Sequence, residues 1–306
     1  MAFVFGLIAY SYSQLGGIRA SIITDAAQMI IMIVVCVALV PWAMKMSGTT
    51  TLFQGLGGIG GNYWSLWDAN GIEVFLGFGL VTAIGLAAGP FGDQSFWQRV
   101  FSVKEGGIGY SLRLGAAFFA LVPLSMGILG FMAAGAGFQA QDVSVVNLEF
   151  IAATLPAWVA WPFVFLLVSG LLSTVDSNLC AIASLSEDMA GRFDIRISKA
   201  SMLILVVAAS ALANLPGMTI LKLFLIYGIV RASSLLATIL TLSGVRLDEA
   251  GVFYGVIASA AVGLPVFAYG TLLESNAFKV AGGLAAALLS GIVALAVTRW
   301  KAYAHR

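Results

Sequence analysis

The chain has 306 residues, of which 60% are hydrophobic and 9% are charged, and its mean hydropathy is +1.01. A soluble domain carries about 25% charged residues, so this composition predicts an all-α polytopic membrane protein. The formal net charge of +1 argues against nucleic acid as a partner. Both cysteines, Cys36 and Cys180, fall inside apolar runs, so the sequence indicates neither a disulfide framework nor a zinc site.

Apolar runs between polar or Gly- and Pro-rich breaks predict about nine transmembrane segments. The first run is too short to cross about 30 Å of hydrocarbon at 1.5 Å per residue, so the chain is expected to begin inside a helix. The runs are Met1–Gln14, Ala20–Met46, Glu73–Gln98, Leu112–Gly135, Ala157–Asp188, Ser198–Asn214, Met218–Leu242, Ala250–Tyr269 and Gly282–Arg299.

Lysine and arginine residues predict the orientation of these runs. We place the turn at Gly16–Arg19 in the cytoplasm and let each run cross once. Only Lys45, Lys222 and Lys279 then lie outside, Arg231 lies within a span, and all other Lys and Arg residues fall in inside loops. This distribution obeys the positive-inside rule and predicts a multi-pass protein of the cell inner (plasma) membrane.

The third run contains glycine and proline residues that predict a broken helix. Gly85, Gly89, Pro90 and Gly92 lie in or at the end of this run, and Gln94 follows. Proline removes a backbone donor and glycine loosens the helix, so carbonyl and amide groups become free at membrane depth. Broken helices mark the binding site in transporters, and a packing kink is the alternative. We predict a substrate cavity lined by Gly89, Pro90 and Gln94.

A polar stripe runs through the apolar segment Trp161–Asp188. Steps of three and four residues place these side chains on one helix face: Ser169, Ser173, Asp176, Ser177, Cys180 and Ser184. A carboxylate at membrane depth costs several kcal/mol unless water, a cation or a basic partner meets it. Hydroxyl and carbonyl oxygens are ligands that alkali cations accept, although Ser and Thr also serve simply to pack helices closely.

Arg231 lies in the middle of the run LIYGIVRASSLL, where an unpaired guanidinium is expensive. Three roles are open to it: an internal ion pair, with Asp176 as one partner, a contact to a substrate carboxylate, or a position in a water-filled vestibule. We predict the internal ion pair because buried charges usually find a partner. Asp93 and Arg99 are interpreted as structural residues at helix ends near the inner interface.

Three stretches, in this order, resemble the sodium/solute symporter family, whose members carry proline, pantothenate, sugars, iodide and short carboxylates. They are LGGIRASIITDAAQMIIMI (Leu15–Ile33), FGDQSFWQRVFSVK (Phe91–Lys104) and SGLLSTVDSNLCAIASLSEDMAGRF (Ser169–Phe193), which are similar to the family's fifth, broken sixth and eighth core helices. The resemblance implies a partial LeuT-like fold that lacks the first core helices. Its parts are 1–46, the last two helices of the first inverted repeat, 73–242, a second repeat of five helices, and 250–306, two extra C-terminal helices.

The resemblance also implies a site for the coupling ion. Gly170 would give a carbonyl oxygen, and Ser173 and Thr174 would give hydroxyl oxygens, to Na⁺. The positions that match a second cation site or an inner exit path are Asp25, Asp176 and Ser177. No cofactor is expected apart from the coupling ion.

Two departures from the family pattern affect these expectations. Gly89, Pro90 and Phe91 stand where the sugar-carrying branch has an aromatic gate, which makes sugar a poor candidate substrate. Nothing in the chain corresponds to core helices one to three. This predicts a fragment, a mis-started reading frame or a split transporter whose missing N-terminal helices come from a separate chain.

The expected function is Na⁺-coupled symport of a small organic solute across the lipid bilayer. Proton coupling through Asp25 and Asp176 is one alternative, and a sensor or scaffold domain of the same fold without transport is another. A membrane enzyme ranks last, because no HExxH, GxSxG or paired-carboxylate arrangement stands at a plausible depth. Proline, a short carboxylate, urea and an amine all stay open as the solute.

Overall fold

A computed structural model describes residues 2–62, 65, 67–215 and 219–304. Helices account for 85% of the described residues, which contain no strand. The α-helices in these ranges are α1 (Ala2–Ser47), α2 (Thr49–Gly55), α3 (Ala69–Val74), α4 (Leu80–Gly92), α5 (Gln94–Phe101), α6 (Ile108–Gly135), α7 (Val146–Thr154), α8 (Ala160–Ala190), α9 (Ile195–Ala213), α10 (Ile220–Ala232), α11 (Leu235–Leu242), α12 (Glu249–Leu272) and α13 (Asn276–Ala304). A π-helical segment, Phe75–Gly79, joins α3 to α4, and short 3₁₀ turns, Val143–Val145 and Ala157–Val159, precede α7 and α8.

Seven stretches of the described chain are long and apolar enough to cross a membrane. They contain α1, α3 with α4, α6, α8, α9, α12 and α13. The pair α10 and α11, bent by 41° at its break, adds an eighth if it counts as one span. These helices confirm the predicted all-helical, multi-pass class, whereas nine segments and a LeuT-like arrangement stay predictions.

The 46-residue helix α1 is interrupted at Gly17, where φ is 54° and ψ is −150°. Without a break, a helix of this length would extend roughly 69 Å at 1.5 Å per residue, more than twice the hydrocarbon thickness of about 30 Å. Glycine is suited to this backbone position because it has no Cβ to oppose a positive φ. The interruption lies within the predicted turn Gly16–Arg19 and divides α1 into two arms.

The chain forms two compact units. Unit 1 comprises Met1–Trp64 and Trp97–Pro216, and unit 2 comprises Ser65–Phe96 and Gly217–Arg306, so the boundary crosses α5. The largest core of unit 1 packs α1, α6, α7 and α8 together through Leu39, Leu129 and Phe163, each of which is nearly inaccessible.

In unit 2, α12 and α13 pack through small residues. The side of α12 that meets α13 carries a glycine or serine at nearly every fourth position, including Gly255, Ser259 and Gly263. A Cβ at Gly255 would lie 2.3 Å from the carbonyl oxygen of Ser290, and one at Gly263 would lie 2.9 Å from the Cα of Ala286. Such close backbone approach is how helices gain van der Waals contact in lipid, where the hydrophobic effect does not drive their association.

The ends of this helix pair are joined by polar contacts. Asp248 caps α12 by accepting a hydrogen bond from the backbone N–H of Gly251 at 3.2 Å, and its own N–H donates to Thr298 at 2.8 Å. Lys301 donates to the Asp248 carboxylate at 2.7 Å. This hydrogen bond from the Lys301 ammonium lowers the pKa of Asp248 below its usual value.

Adding a single methyl group at Gly255 or Gly263 is expected to separate α12 from α13. Gly255→Ala and Gly263→Ala should each lower the free energy of unfolding by about 1–3 kcal/mol, the usual cost of overpacking. The control is Gly127→Ala in α6, because nothing lies within 4 Å of a Cβ at Gly127. Thermal unfolding of the detergent-solubilised protein measures the difference, and equal melting temperatures for the three variants would contradict this account of the interface.

The contact between Lys301 and Asp248 should make stability depend on pH. A carboxyl with a lowered folded-state pKa contributes stability above its unfolded pKa of about 3.9, and this contribution is lost as pH falls through the folded value. The wild type should therefore melt at a higher temperature than Lys301→Met above about pH 4, and the gap should close at lower pH. Lys279→Met, on the same helix, serves as the control and should show no such closing gap.

Candidate functional site

Asp176 lies in the middle of the apolar helix α8 and is completely inaccessible. Four hydroxyl groups surround its carboxyl. Tyr12 is 2.9 Å and Thr24 is 3.3 Å from Oδ2, and Ser21 is 3.0 Å and Ser177 is 3.1 Å from Oδ1. Both carboxyl oxygens are therefore hydrogen-bonded, as a buried polar group requires.

These hydrogen bonds connect α8 to both arms of α1. Tyr12 precedes the interruption at Gly17, whereas Ser21 and Thr24 follow it. The carboxyl of Asp176 thus bridges the two arms on either side of Gly17.

Asp25 and Arg99 form an ion pair beside Asp176. The guanidinium of Arg99, from α5, contacts both the Asp25 carboxylate and the hydroxyl oxygen of Ser177. Ser173 donates a hydrogen bond to the other carboxylate oxygen of Asp25. The exposed fraction of the side chain is 18% for Asp25 and 37% for Arg99. Asp25 is therefore held by one cationic partner and one hydroxyl.

We refer to these side chains together as the Asp176 cluster. Its members are Tyr12, Ser21, Thr24, Asp25, Arg99, Ser173, Asp176 and Ser177. The cluster has two carboxyl groups and one guanidinium, and no lysine or arginine in the described part of the chain forms an ion pair with Asp176. With every group ionised, the cluster carries one uncompensated negative charge at membrane depth.

The structure places the predicted sodium ligands on two sides of α8. Ser173 points to Asp25 and belongs to the Asp176 cluster. Thr174 is exposed and donates a hydrogen bond to the carbonyl of Gly170 at 3.0 Å, one turn back on the same helix. The predicted second site or exit path lies on the side of Ser173, away from Thr174. Its residues are Asp25, Asp176 and Ser177.

The donor types in the cluster suit a small hard cation. Hydroxyl and carboxylate oxygens are the ligands that such cations accept, and a backbone carbonyl from Gly170 is of the same type. Among the described residues no group of three or more His, Cys, Asp or Glu side chains converges, which is the arrangement that transition metals prefer.

A second buried ion pair lies in unit 2, where α4 crosses α10. The two helices approach at paired glycines, since a Cβ on Gly85 would lie 2.8 Å from the Cα of Gly228. One turn on from this crossing, a Cβ on Gly89 would lie 3.4 Å from Nη1 of Arg231, and one on Gly92 would lie 2.7 Å from the Arg231 carbonyl oxygen. The glycine face of α4 thus makes room for Arg231.

Asp93 is the partner of Arg231. Its Oδ2 contacts Nη2 of Arg231 and accepts a hydrogen bond from the hydroxyl of Tyr227 at 3.0 Å. Its Oδ1 accepts from the backbone N–H of Ser95 at 2.9 Å and from the Ser95 hydroxyl at 2.6 Å. The guanidinium also stacks on the Tyr227 ring, 3.9 Å from its centroid.

This ion pair joins two interruptions of the helical backbone. The helix α4 continues through Pro90 and ends at Gly92, and Asp93 is extended, with φ −117° and ψ 113°. Arg231 stands immediately before the 41° bend between α10 and α11. The break predicted around Pro90 therefore falls at Asp93. Of the predicted cavity residues, Gly89 is buried beside Arg231, Pro90 is exposed, and Gln94 is the half-buried first residue of α5.

Several residues of these two networks were not predicted as site residues. Ser21 and Thr24 stand four and one residues before Asp25, and Gln28 stands three residues after it, so helical spacing alone would have revealed a polar stripe on α1. Tyr12 has no such signal. The sequence indicated Asp93 and Arg99 as residues at helix ends, and the structure shows that each also forms one half of a partly buried ion pair.

The spans and the two buried charge networks define the class as a multi-pass helical membrane protein. Comparison with protein-family models, curated proteins and solved structures finds no significant match. Membership of the sodium/solute symporter family therefore stays a prediction from the three sequence stretches.

A double-mutant cycle is expected to show that Arg99 and Asp25 are coupled. Arg99→Met should destabilise by less than the about 3–5 kcal/mol of a fully buried pair, because Arg99 is 37% exposed. Adding Asp25→Asn should recover part of this loss, with a coupling energy of about 0.5–3 kcal/mol in thermal or denaturant unfolding.

The matched control is the exposed pair of Arg192 and Asp194, whose atoms are 3.6 Å apart. The double-mutant cycle of Arg192→Met and Asp194→Asn should give a coupling energy of about 0–1 kcal/mol, which is the range of exposed ion pairs. Strictly additive effects of Arg99→Met and Asp25→Asn would contradict the buried pair.

Proposed function

We propose that this chain is a secondary transporter, or the larger part of one, that moves a small organic solute with Na⁺ across the cell inner membrane. The observation that carries the proposal is Asp176, a second carboxyl group that has no cationic partner among the described residues and, when ionised, leaves one negative charge inside a helix apolar enough to span the bilayer. Such a charge is expensive unless a cation or a proton meets it.

The charge and the donor types favour a small monovalent cation. One positive charge brings the cluster to zero, whereas a divalent ion would leave an excess of one. The available ligands are hydroxyl and carboxylate oxygens, which replace the hydration shell of a hard cation. Asp25, Ser173, Asp176 and Ser177 are the residues that would hold Na⁺ in this proposal.

The same arrangement offers a way to link cation binding to helix movement. A cation that binds Asp25 and Ser177 competes with Arg99 for the same oxygens, and one that binds Asp176 competes with hydroxyls from both arms of α1. Occupancy would thus change the contacts of α1, α5 and α8. The membrane potential supplies about 2.3 kcal/mol per charge per 100 mV to drive inward movement.

Gly170 and Thr174 would form a separate cation site on the other side of α8. Thr174 is exposed, so a cation held by its hydroxyl and the Gly170 carbonyl needs further ligands from a helix that faces this side of α8. We propose that a separate chain bearing such helices supplies them.

A proton is the alternative coupling ion, because it would satisfy the same charge balance at Asp176. The hydroxyl groups around this carboxyl support either ion. A measurement that varies Na⁺ and pH independently separates the two proposals.

Na⁺ is expected to stabilise the purified protein. A ligand present at 100 times its Kd raises the free energy of unfolding by about 2.7 kcal/mol, so the melting temperature should rise with NaCl and not with choline chloride at equal ionic strength. Ser173→Ala should raise the half-saturating Na⁺ concentration about tenfold or more, since it removes a ligand. Asp176→Asn should abolish the preference for Na⁺, since it removes the net charge.

Thr271→Ala is the matched control, because Thr271, like Thr174, bonds only the carbonyl one turn back on its own helix, at 3.0 Å. It should leave the Na⁺ response unchanged. Stabilisation by lower pH but not by Na⁺ would indicate proton coupling. Identical curves in NaCl and choline chloride, with no stabilisation at lower pH, would reject a cation-coupled transporter.

A further inference from the structure

We propose that Arg231 binds the carboxylate group of the solute, so that the transported substrate is a small organic carboxylate. This inference rests on the proposed transport function and assigns its substrate class. It is argued from the residues of unit 2 alone.

The guanidinium of Arg231 has hydrogen-bond donors that no residue in the described chain uses. Arginine carries five N–H donors, and within the described residues only Nη2 forms an ion pair, with Asp93. Its Nε is buried and has no hydrogen-bond partner there. An unsatisfied buried donor costs free energy, more so when it is charged, and an anion is the ligand that restores it.

The carboxylate of Asp93 has no unused position for a further hydrogen bond. Four donors already meet its two oxygens: Arg231, Tyr227, and the N–H and hydroxyl of Ser95. The ammonium group of an amine would have to displace one of them. Arg231 therefore has unused hydrogen-bond donors, whereas the hydrogen-bond acceptors of Asp93 are all occupied. This difference favours a ligand with a negatively charged group.

The Arg231 side chain is 22% exposed, so a ligand reaches the guanidinium without unfolding of the helices. Nη1 faces the backbone of Gly89, where an added Cβ would lie 3.4 Å from it. The group lies where α4 ends and α10 bends, and broken helices in transporters supply free backbone groups to a bound solute.

Charge balance makes the inference consistent with cation coupling. Arg231 and Asp93 are neutral as a pair, so a bound carboxylate adds one negative charge to unit 2. A co-transported cation adds one positive charge at the Asp176 cluster, and the two ligands together leave the protein's net charge unchanged. Urea and amines, which the sequence left open, do not use the spare donors in this way.

Paired ligands test the proposal on the purified full chain in NaCl. Propionate and pyruvate are each compared with the corresponding primary amide, and the melting temperature is recorded as a function of ligand concentration. At least one carboxylate should stabilise the wild type, and its amide should not. Arg231→Lys keeps the charge that Asp93 needs but lacks the planar fork, so the half-saturating carboxylate concentration should rise about tenfold or more.

A second variant guards against loss of folding at position 231. Gly89→Ala adds a methyl group facing Nη1 and should also weaken the carboxylate response, whereas Gly109→Ala, where nothing lies within 4 Å of the added Cβ, should not. The Na⁺ response without added carboxylate is measured in every variant. It should stay at the wild-type level, since it belongs to unit 1.

Two results would overturn the assignment: no carboxylate stabilises the wild type better than its amide, or Arg231→Lys binds carboxylate as the wild type does. Either result with an intact Na⁺ response refutes the substrate class and leaves cation coupling standing. Absence of a Na⁺ response in the wild type itself refutes Na⁺ coupling instead.

Discussion

A charge inside the hydrocarbon region has to be neutralised by its immediate neighbours, because neither water nor mobile ions screen it there. Each unit meets this requirement with one pair of arginine and aspartate, Arg99 with Asp25 in unit 1 and Arg231 with Asp93 in unit 2. Unit 1 then contains an additional carboxyl, Asp176. The two buried networks therefore differ in formal charge when every group is ionised, which is the physical basis for assigning them different ligands.

Small residues allow these charges to be placed. Glycines at the crossing of α4 and α10 bring the two backbones into contact, and this contact positions Arg231 against Gly89 and next to Asp93. Larger side chains at the crossing would hold the helices apart and lengthen the ion pair. In the pair α12 and α13 the same close packing holds the helices together without a buried ion pair, and the contact between Asp248 and Lys301 lies at the helix ends.

The two networks need ligands of opposite charge. The Asp176 cluster lacks one positive charge, and Arg231 lacks acceptors for its remaining donors.

The sequence alone determined the all-helical, multi-pass class of the protein, since hydropathy and helical spacing are properties of single segments. It also predicted the turn around Gly17 and placed Asp176 on a buried polar face of α8. Only the tertiary structure decided which charges meet. The partners in the two ion pairs are 74 and 138 residues apart along the chain, and such pairing depends on how helices cross, which no single segment encodes.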